Sequence, residues 1–309
     1  MSNAYFVEWP IGRRLKLSET GTYQGLLTYD INDLIPIKTN LWETPLMNNT
    51  IADNYEIAMG RWSRRLSRSF LDFVAAPSCG SLVDVGCGTG SLTLAAANRY
   101  PDARVVGIDL IPDYLTDALR EEAANIELKT GDALSLPFEN NSFDTAFSQL
   151  LVNDLEEPAK AVAEMVRVTK PNGKIAASVW DRAGGLTFIR LFLDAAAILA
   201  GVEGEKLREE VFDVPYQDED DLYDLWSDAG LGEIDTTTLA VRMDFIDFDD
   251  YWQSLMGAHS LIRNFFNRQY ADTAYEIQQA TRLAYLGGKT DGRRSLVASA
   301  MAVRGVVPA

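Results

Sequence analysis

Residues 83–90 read VDVGCGTG, and the pattern of apolar residues and glycines in this segment is the clearest indication of the fold. The apolar residues before Gly86 are typical of a buried strand, and a helical pattern begins at Ser91. Glycine adopts backbone angles that other residues avoid, and it lets a ligand approach the main chain closely. Because Gly86, Gly88 and Gly90 lie between the two patterns, the stretch predicts a strand, a tight turn and a helix, with a ligand site beyond the strand's carboxyl end.

Strand and helix patterns alternate from this stretch outward. The predicted strands cover 81–86, 104–109, 125–129, 143–148 and 174–180, and the predicted helices cover 51–76, 91–99, 112–123 and 156–169. Such alternation predicts an α/β fold, a Rossmann-like doubly wound sheet with helices on both faces. Beyond it we predict helices over 186–199, 222–229 and 247–286, an acidic loop over 218–221, and strands over 233–241 and 294–303.

Three regions follow from these patterns. Residues 1–50 carry scattered aromatic residues without a sustained period and are interpreted as an N-terminal extension. Residues 51–309 are predicted to form the main domain. Within it, residues 245–292 are predicted to be a helical insertion before the last strand, on the side where a substrate would bind.

Composition excludes several classes of protein. The chain has 309 residues with 45 acidic and 28 basic side chains, a net charge of −17. Nucleic acids and anionic membranes attract basic surfaces, so we expect neither as a partner. No apolar run reaches 18 residues, which predicts no membrane span. One histidine and two cysteines predict no structural metal site, and the absence of a disulfide framework is typical of a cytoplasmic protein.

A glycine-rich turn of this kind is typical of sites that bind a nucleoside-containing cofactor. Dinucleotide cofactors favour the spacing G-x-G-x-x-G, but here Ser91 stands at the third glycine position and the glycine comes one residue early. Any such cofactor needs an acid at the end of the second strand to accept hydrogen bonds from its ribose hydroxyls, and Asp109 occupies that place. Asp84 could hold the amides of the turn or contact the ligand, and both roles stay open. For Cys87 the favoured interpretation is a small residue packed beneath the turn.

The spacing G-x-G-x-G after Asp84 resembles motif I of class I S-adenosylmethionine-dependent methyltransferases. Later segments extend the resemblance: 130–133 (TGDA) follows the third strand, and 157–175 (EPAKAVAEMVRVTKPNGKI) leads into the fifth. The chain is most similar to the ubiquinone/menaquinone-biosynthesis group, which resembles the methyltransferase domain 11 type. This resemblance implies a seven-stranded sheet, mostly parallel with an antiparallel last strand, and S-adenosyl-L-methionine as the cofactor. The expected cofactor-binding residues are Arg61, Asp84, Gly86, Cys87, Gly88, Gly90, Asp109, Leu110, Asp132, Ala133, Ser148 and Gln149.

Residues for the second substrate are harder to find. The group often has a histidine beyond the fourth strand, where this chain has Asn153, and no general base is evident. We consider His259, Asn153 and Tyr251 as candidate catalytic residues, and Trp180 as a further residue of the acceptor pocket. The aromatic residues of segment 245–252 are more typical of a hydrophobic core than of a substrate cage.

The sequence thus predicts an enzyme that transfers a methyl group to a small-molecule acceptor by in-line displacement. Two alternatives stay open: a cofactor-binding regulator without catalysis, and a methyltransferase that acts on a macromolecule. The sequence is compatible with a monomer or a homodimer.

Overall fold

A computed structural model describes residues 55–115, 123–216, 218–258 and 260–309, with two short strands near the N-terminus. The chain divides into two compact units, Met1–Asn48 and Asn49–Ala309. In the first unit, β1 (Phe6–Glu8) pairs with β2 (Arg14–Lys16) in antiparallel orientation. The rest of the predicted N-terminal extension lies outside the described residues, and so does His259.

The second unit alternates strands and helices. Its strands are β3 (Cys79–Val85), β4 (Asp102–Asp109), β5 (Ile126–Thr130), β6 (Phe143–Gln149), β7 (Thr169–Trp180), β8 (Gly232–Phe245) and β9 (Arg294–Val306). Its helices are α1 (Arg61–Val74), α2 (Ser91–Arg99), α3 (Pro158–Val168), α4 (Thr187–Leu199), α5 (Val202–Phe212), α6 (Glu219–Asp228), α7 (Phe248–Ala258), α8 (Ser260–Arg268) and α9 (Ala271–Leu286). A π-helical turn, Glu56–Gly60, runs directly into α1.

The seven strands form one sheet in the order β5-β4-β3-β6-β7-β9-β8. Strands β3 to β7 pair in parallel, and β9 is antiparallel to both of its neighbours. The predicted fold class and its antiparallel last strand are therefore confirmed. After β3 the chain adds strands on one side, and from β6 onward on the other. The carboxyl ends of β3 and β6 thus border the crevice where sheets of this type bind ligands.

Helices cover both faces of the sheet. On one face α1 and α2 bury Phe70 and Ala96 against Leu82 and Phe147 of the strands. On the other face α3 and α6 pack against the sheet, where Trp226 is fully buried. A third cluster joins α4, α5 and the helices of segment 245–292 near the carboxyl end of β7. The predicted core residues Phe245, Phe248 and Tyr251 lie in it, with Trp252 packed against it.

Several predicted elements differ from the structure. Segment 218–221 is not a loop: Asp218 caps α6 by accepting a hydrogen bond from the backbone of Asp221, and acids in a first turn stabilise a helix. The predicted helix 112–123 begins instead as a 3-10 turn, Pro112–Tyr114, and 116–122 lie outside the described residues. Helix α5 was not predicted. In the part of the chain that the structure covers, no helix is both long and apolar enough to cross a membrane.

Candidate functional site

The glycine-rich turn between β3 and α2 requires glycine for two different reasons. Gly86, Gly88 and Gly90 have φ angles of 73°, 53° and 84°, which disfavour any other residue. A Cβ atom on Gly86 would also lie 2.4 Å from Cδ2 of Leu151, whereas a Cβ on Gly88 would meet nothing within 4 Å. Gly86 therefore serves packing, and the space beside Gly88 is open to a ligand.

Asp109, at the end of β4, contacts this turn directly. One of its carboxylate oxygens accepts a hydrogen bond from the Gly88 N–H at 2.8 Å, and the other accepts one from the Ile111 N–H at 2.9 Å. A carboxylate has further lone pairs, so Asp109 can still accept hydrogen bonds from a ligand hydroxyl. The adjacent Leu110 is 66% exposed.

The end of the next strand supplies two more predicted residues. Asp132 and Ala133 follow β5, which pairs with β4 so that Thr130 lies opposite Asp109. The Asp132 carboxylate accepts a hydrogen bond from the Leu134 N–H at 2.8 Å and is exposed. The structure therefore places Asp109, Leu110, Asp132 and Ala133 at the carboxyl ends of neighbouring strands.

A cavity beside the turn contains two buried oxygens without a hydrogen-bond donor. Asp84 is 1% exposed: its Oδ2 accepts a hydrogen bond from the Thr93 hydroxyl at 2.6 Å, and its Oδ1 has no partner. The amide nitrogen of Gln149 donates to the Ser63 carbonyl at 3.1 Å, and its Oε1 also has no partner. The cavity is lined by Tyr55, Ser63, Asp84, Gly86, Cys87, Thr89, Ser91, Leu92 and Gln149. Buried acceptors without a donor are rare, and a ligand that donates hydrogen bonds, or an ordered water, would satisfy them.

Burial also changes the acidity of the groups around this cavity. It raises the pKa of Asp84 to about 7, an effect that the Thr93 hydrogen bond opposes and the nearby Asp109 charge increases. Burial raises the pKa of the Cys87 thiol as well, which disfavours its reactive thiolate form. A cation in the cavity would stabilise the ionised form of Asp84.

The π-helical turn before α1 covers the glycine-rich turn. The Thr89 hydroxyl donates to a carboxylate oxygen of Glu56, and Arg64 pairs with the other oxygen. The Tyr55 ring packs against Tyr114, with ring centroids 5.7 Å apart, and burial raises the pKa of Tyr55. Sequence reasoning missed Glu56, because nothing in its local pattern shows that it reaches Thr89.

Three predicted site residues lie away from the cavity. The Ser148 hydroxyl donates to the Val85 carbonyl at 2.8 Å and so links β6 to β3. Arg61 pairs with Asp250 of α7 at 2.8 Å. Tyr251 is fully buried, and its hydroxyl donates to the Phe188 carbonyl at 2.6 Å.

Two further predicted residues lie where β6 and β7 end. Asn153 is in a 3-10 turn, Val152–Asp154, that follows β6, and Trp180 is the last residue of β7. The amide nitrogen of Asn153 and the indole nitrogen of Trp180 are both buried without a hydrogen-bond partner. The structure thus brings them to the sheet edge that also holds Gln149.

Comparisons with known proteins agree with this geometry. Residues 83–177 match the family described as methyltransferase domain, Methyltransf_11. The chain is 34% identical to the demethylmenaquinone methyltransferase of Renibacterium salmoninarum over 142 residues, which cover 43% of this chain and 56% of that protein. It is 33% identical over 149 residues to the malonyl-[acyl-carrier protein] O-methyltransferase of Hahella chejuensis, covering 42% of this chain and 53% of that protein. The chain therefore spans about half the length of these curated relatives.

Solved structures support the fold alone. The phosphoethanolamine N-methyltransferase 2 of Haemonchus contortus, in complex with S-adenosyl-L-methionine, matches 85% of this chain and 59% of its own chain with a TM-score of 0.52 at 18% identity. Sheet order, glycine-rich turn and family match all agree with the resemblance seen in the sequence. Over residues 83–177 the chain is therefore similar to methyltransferase domains of the Methyltransf_11 family.

Proposed function

We propose that this protein is an S-adenosyl-L-methionine-dependent methyltransferase that acts on a small-molecule acceptor. The observation that supports the proposal best is the pair of buried oxygens, Asp84 Oδ1 and Gln149 Oε1, that have no donor in the cavity beside the glycine-rich turn. S-adenosylmethionine carries an ammonium group, which donates hydrogen bonds and is positively charged. Such a group would donate hydrogen bonds to both oxygens, and its positive charge would stabilise the ionised form of Asp84, whose pKa is raised in the free protein.

The remaining predicted residues fit the nucleoside part of the cofactor. Asp109 would accept hydrogen bonds from the ribose hydroxyls while it also accepts one from Gly88. Leu110, Asp132 and Ala133 lie at the adjacent strand ends and would contact the adenine. The open space beside Gly88 would let the cofactor approach the main chain.

The chemistry of transfer places few demands on the protein. The bound cofactor supplies a methyl carbon that a sulfonium already activates. The chain must hold the acceptor in line, roughly 3–3.5 Å from that carbon, and exclude water. Glu56, through its bond to Thr89, holds the π-helical turn over the site and so helps to exclude water.

We further propose a small acceptor, with no nucleic acid as partner. The two relatives carry names that indicate different acceptors, a demethylmenaquinone and a malonyl-[acyl-carrier protein], so neither name transfers to this chain. The net charge of −17 disfavours a polyanion. A cytoplasmic, bacterial protein that acts as a monomer or homodimer is the interpretation we propose.

Isothermal titration with S-adenosylhomocysteine, the demethylated product, tests the proposal. We expect binding of one molecule per chain. Asp84→Asn, which keeps an acceptor for Thr93, should weaken binding by roughly 10- to 100-fold, because a hydrogen bond to a charged group contributes about 1.5–3 kcal/mol. Gln149→Leu should weaken it by a smaller factor, because its oxygen is neutral.

Asp272→Asn provides the matched control. Asp272 is an exposed carboxylate in the first turn of α9, away from the cavity lining, and its substitution should leave affinity unchanged. The absence of both heat and a thermal upshift with wild-type protein would refute the proposed function.

A further inference from the structure

Two buried N–H donors at the ends of β6 and β7 have no hydrogen-bond partner among the residues that the structure describes. Asn153 is 4% exposed and Trp180 is 7% exposed, yet neither the amide nitrogen nor the indole nitrogen finds an acceptor. Two other indoles differ: Trp62 donates to the Ser254 hydroxyl at 3.4 Å, and Trp226 donates to the Ile175 carbonyl at 3.3 Å. A buried donor without a partner costs free energy, and a ligand that accepts hydrogen bonds removes that cost.

The strand register places both donors beside the proposed cofactor site. Gln149 pairs with Ser178, so Trp180, two residues on, lies on the same face as Gln149 and Asp84. Strands β3 and β7 are separated only by β6, a distance of about 10 Å across the sheet. A bond between Arg182 and Asp154 holds the turn that contains Asn153 next to the end of β7.

The surroundings of the two donors are mostly apolar. Trp180 belongs to a buried cluster with Trp62 and Phe188, and the partly buried Met59 and Leu150 pack against that cluster. An aromatic or aliphatic ligand would find matching surface there.

The carboxylates near the two donors have partners, whereas Arg61 keeps two buried nitrogens, Nε and Nη2, without a hydrogen-bond partner among the described residues. Asp154 pairs with Arg182 as described, Arg61 of α1 pairs with Asp250, and Asp181 accepts hydrogen bonds from the Gly184 N–H and the Ser299 hydroxyl. A cationic ligand would therefore meet two further N–H donors, while the carboxylates of Asp154, Asp181 and Asp250 already have partners. A ligand with an oxygen acceptor would meet two donors that need one.

We propose that Asn153 and Trp180 bind an oxygen of the methyl acceptor, which makes the acceptor a largely apolar molecule with a hydroxyl, carbonyl or oxyanion group rather than a cationic amine. This inference rests on the proposed function and specifies the substrate class of that same site. The two N–H groups orient the acceptor and stabilise negative charge on its oxygen. Asn153 and Trp180 are thus specificity-determining residues.

The indole N–H resonance of Trp180 is a direct probe of this inference. The chain has six tryptophans, and Trp180→Phe assigns the relevant peak in a ¹⁵N–¹H spectrum. With S-adenosylhomocysteine bound, the protein is titrated with 1-naphthol, 1-naphthoate and 1-naphthylmethylammonium, which share one ring system. We expect the first two to move the Trp180 peak downfield and the ammonium to leave it in place. The peaks of Trp62 and Trp226, assigned in the same way, should not move, since these indoles already have partners.

Asn153→Leu supplies a second, independent readout. Because the amide nitrogen of Asn153 is buried without a hydrogen-bond partner among the described residues, we expect this variant to unfold at the same or a higher urea concentration than wild type. Its affinity for S-adenosylhomocysteine should be unchanged, while that for 1-naphthol or 1-naphthoate should fall about tenfold.

The two proposals fail in different ways. If S-adenosylhomocysteine does not bind, the proposed function is wrong. If it binds but neither oxygen probe moves the Trp180 peak, or if the ammonium binds at least as tightly as the oxygen probes, the inference about the acceptor is overturned.

Discussion

Affinity for S-adenosylhomocysteine should rise steeply with pH, because the proposed ammonium site contains a carboxyl group that is protonated in slightly acidic solution. Burial raises the pKa of Asp84 to about 7 in the free protein. If the bound ammonium requires the carboxylate, binding must first remove that proton. The dissociation constant should then fall about tenfold per pH unit below pH 7 and level off above it, a total of about ninetyfold between pH 5 and pH 8.

Titration calorimetry in buffers of different ionisation enthalpy measures both parts of this prediction. The dissociation constant should follow the stated curve, and about one proton per ligand should be released at pH 6. Asp84→Asn should bind weakly with a flat pH profile, whereas the surface variant Asp272→Asn should keep the wild-type profile. A flat profile in the wild type, or a steep one that persists in Asp84→Asn, would show that Asp84 does not bind the ammonium group as its carboxylate.

Asp84 should also make the free energy of unfolding of the ligand-free protein depend on pH, but this free energy should fall with rising pH whereas the affinity rises. The folded-state pKa of Asp84 lies above its ordinary value of 3.8, so protonation favours the folded state, and stability falls as pH rises from 3.8 through 7. Between pH 5 and pH 8 the expected loss in the ligand-free protein is about 2–3 kcal/mol, roughly 1.4 kcal/mol for each pH unit from pH 5 to pH 7. Urea unfolding at pH 5 and pH 8 measures it, and the loss should disappear in Asp84→Asn.

Three further predictions concern the turn and its surroundings. Gly86→Ala should lower the free energy of unfolding in urea by more than about 2 kcal/mol, because its Cβ would collide with Leu151. Gly88→Ala should lower it by only about 1 kcal/mol but weaken S-adenosylhomocysteine binding at least tenfold. A larger loss of binding in Gly86→Ala than in Gly88→Ala would contradict the assignment of open space at Gly88. At pH 8 a thiol reagent should modify the exposed Cys79 quickly and the buried Cys87 slowly, so Cys79→Ser should remove the fast phase; a fast phase that persists would show that Cys87 is accessible. Tyr251→Phe should lower the free energy of unfolding by about 1 kcal/mol, because the hydrogen bond from the tyrosine hydroxyl to the Phe188 carbonyl is lost, and it should leave S-adenosylhomocysteine affinity unchanged. A selective loss of affinity would instead place Tyr251 in the site.

Local patterns were enough to predict the fold and the turn. Gly86, Gly88 and Gly90 all have positive φ angles, which glycine adopts far more readily than other residues. The three glycines in the sequence therefore predict the tight turn by themselves. The parallel strands read as short apolar runs because both of their faces are buried. Asp109 follows from the same logic, since the end of the second strand must lie beside the first.

Contacts between distant segments could not be predicted. Arg61 stays a predicted cofactor-binding residue, but nothing in the sequence shows that it pairs with Asp250, which lies in a helix far along the chain. Acid-rich segment 218–221 looked like a loop because acids are common in loops, yet three of those acids stabilise the first turn of α6. The sequence also does not show that the indole N–H of Trp180 is buried without a hydrogen-bond acceptor, because this depends on which residues surround it in the fold.

The ammonium site at Asp84 and Gln149 can be tested most directly by removing the ammonium from the ligand. The probe is the analogue of S-adenosylhomocysteine in which hydrogen replaces the amino group, and its dissociation constant is compared with that of the parent. Wild-type protein should bind the parent roughly 10- to 100-fold more tightly, and Asp84→Asn should lose most of that preference. Equal binding of the two ligands by the wild type would contradict the account.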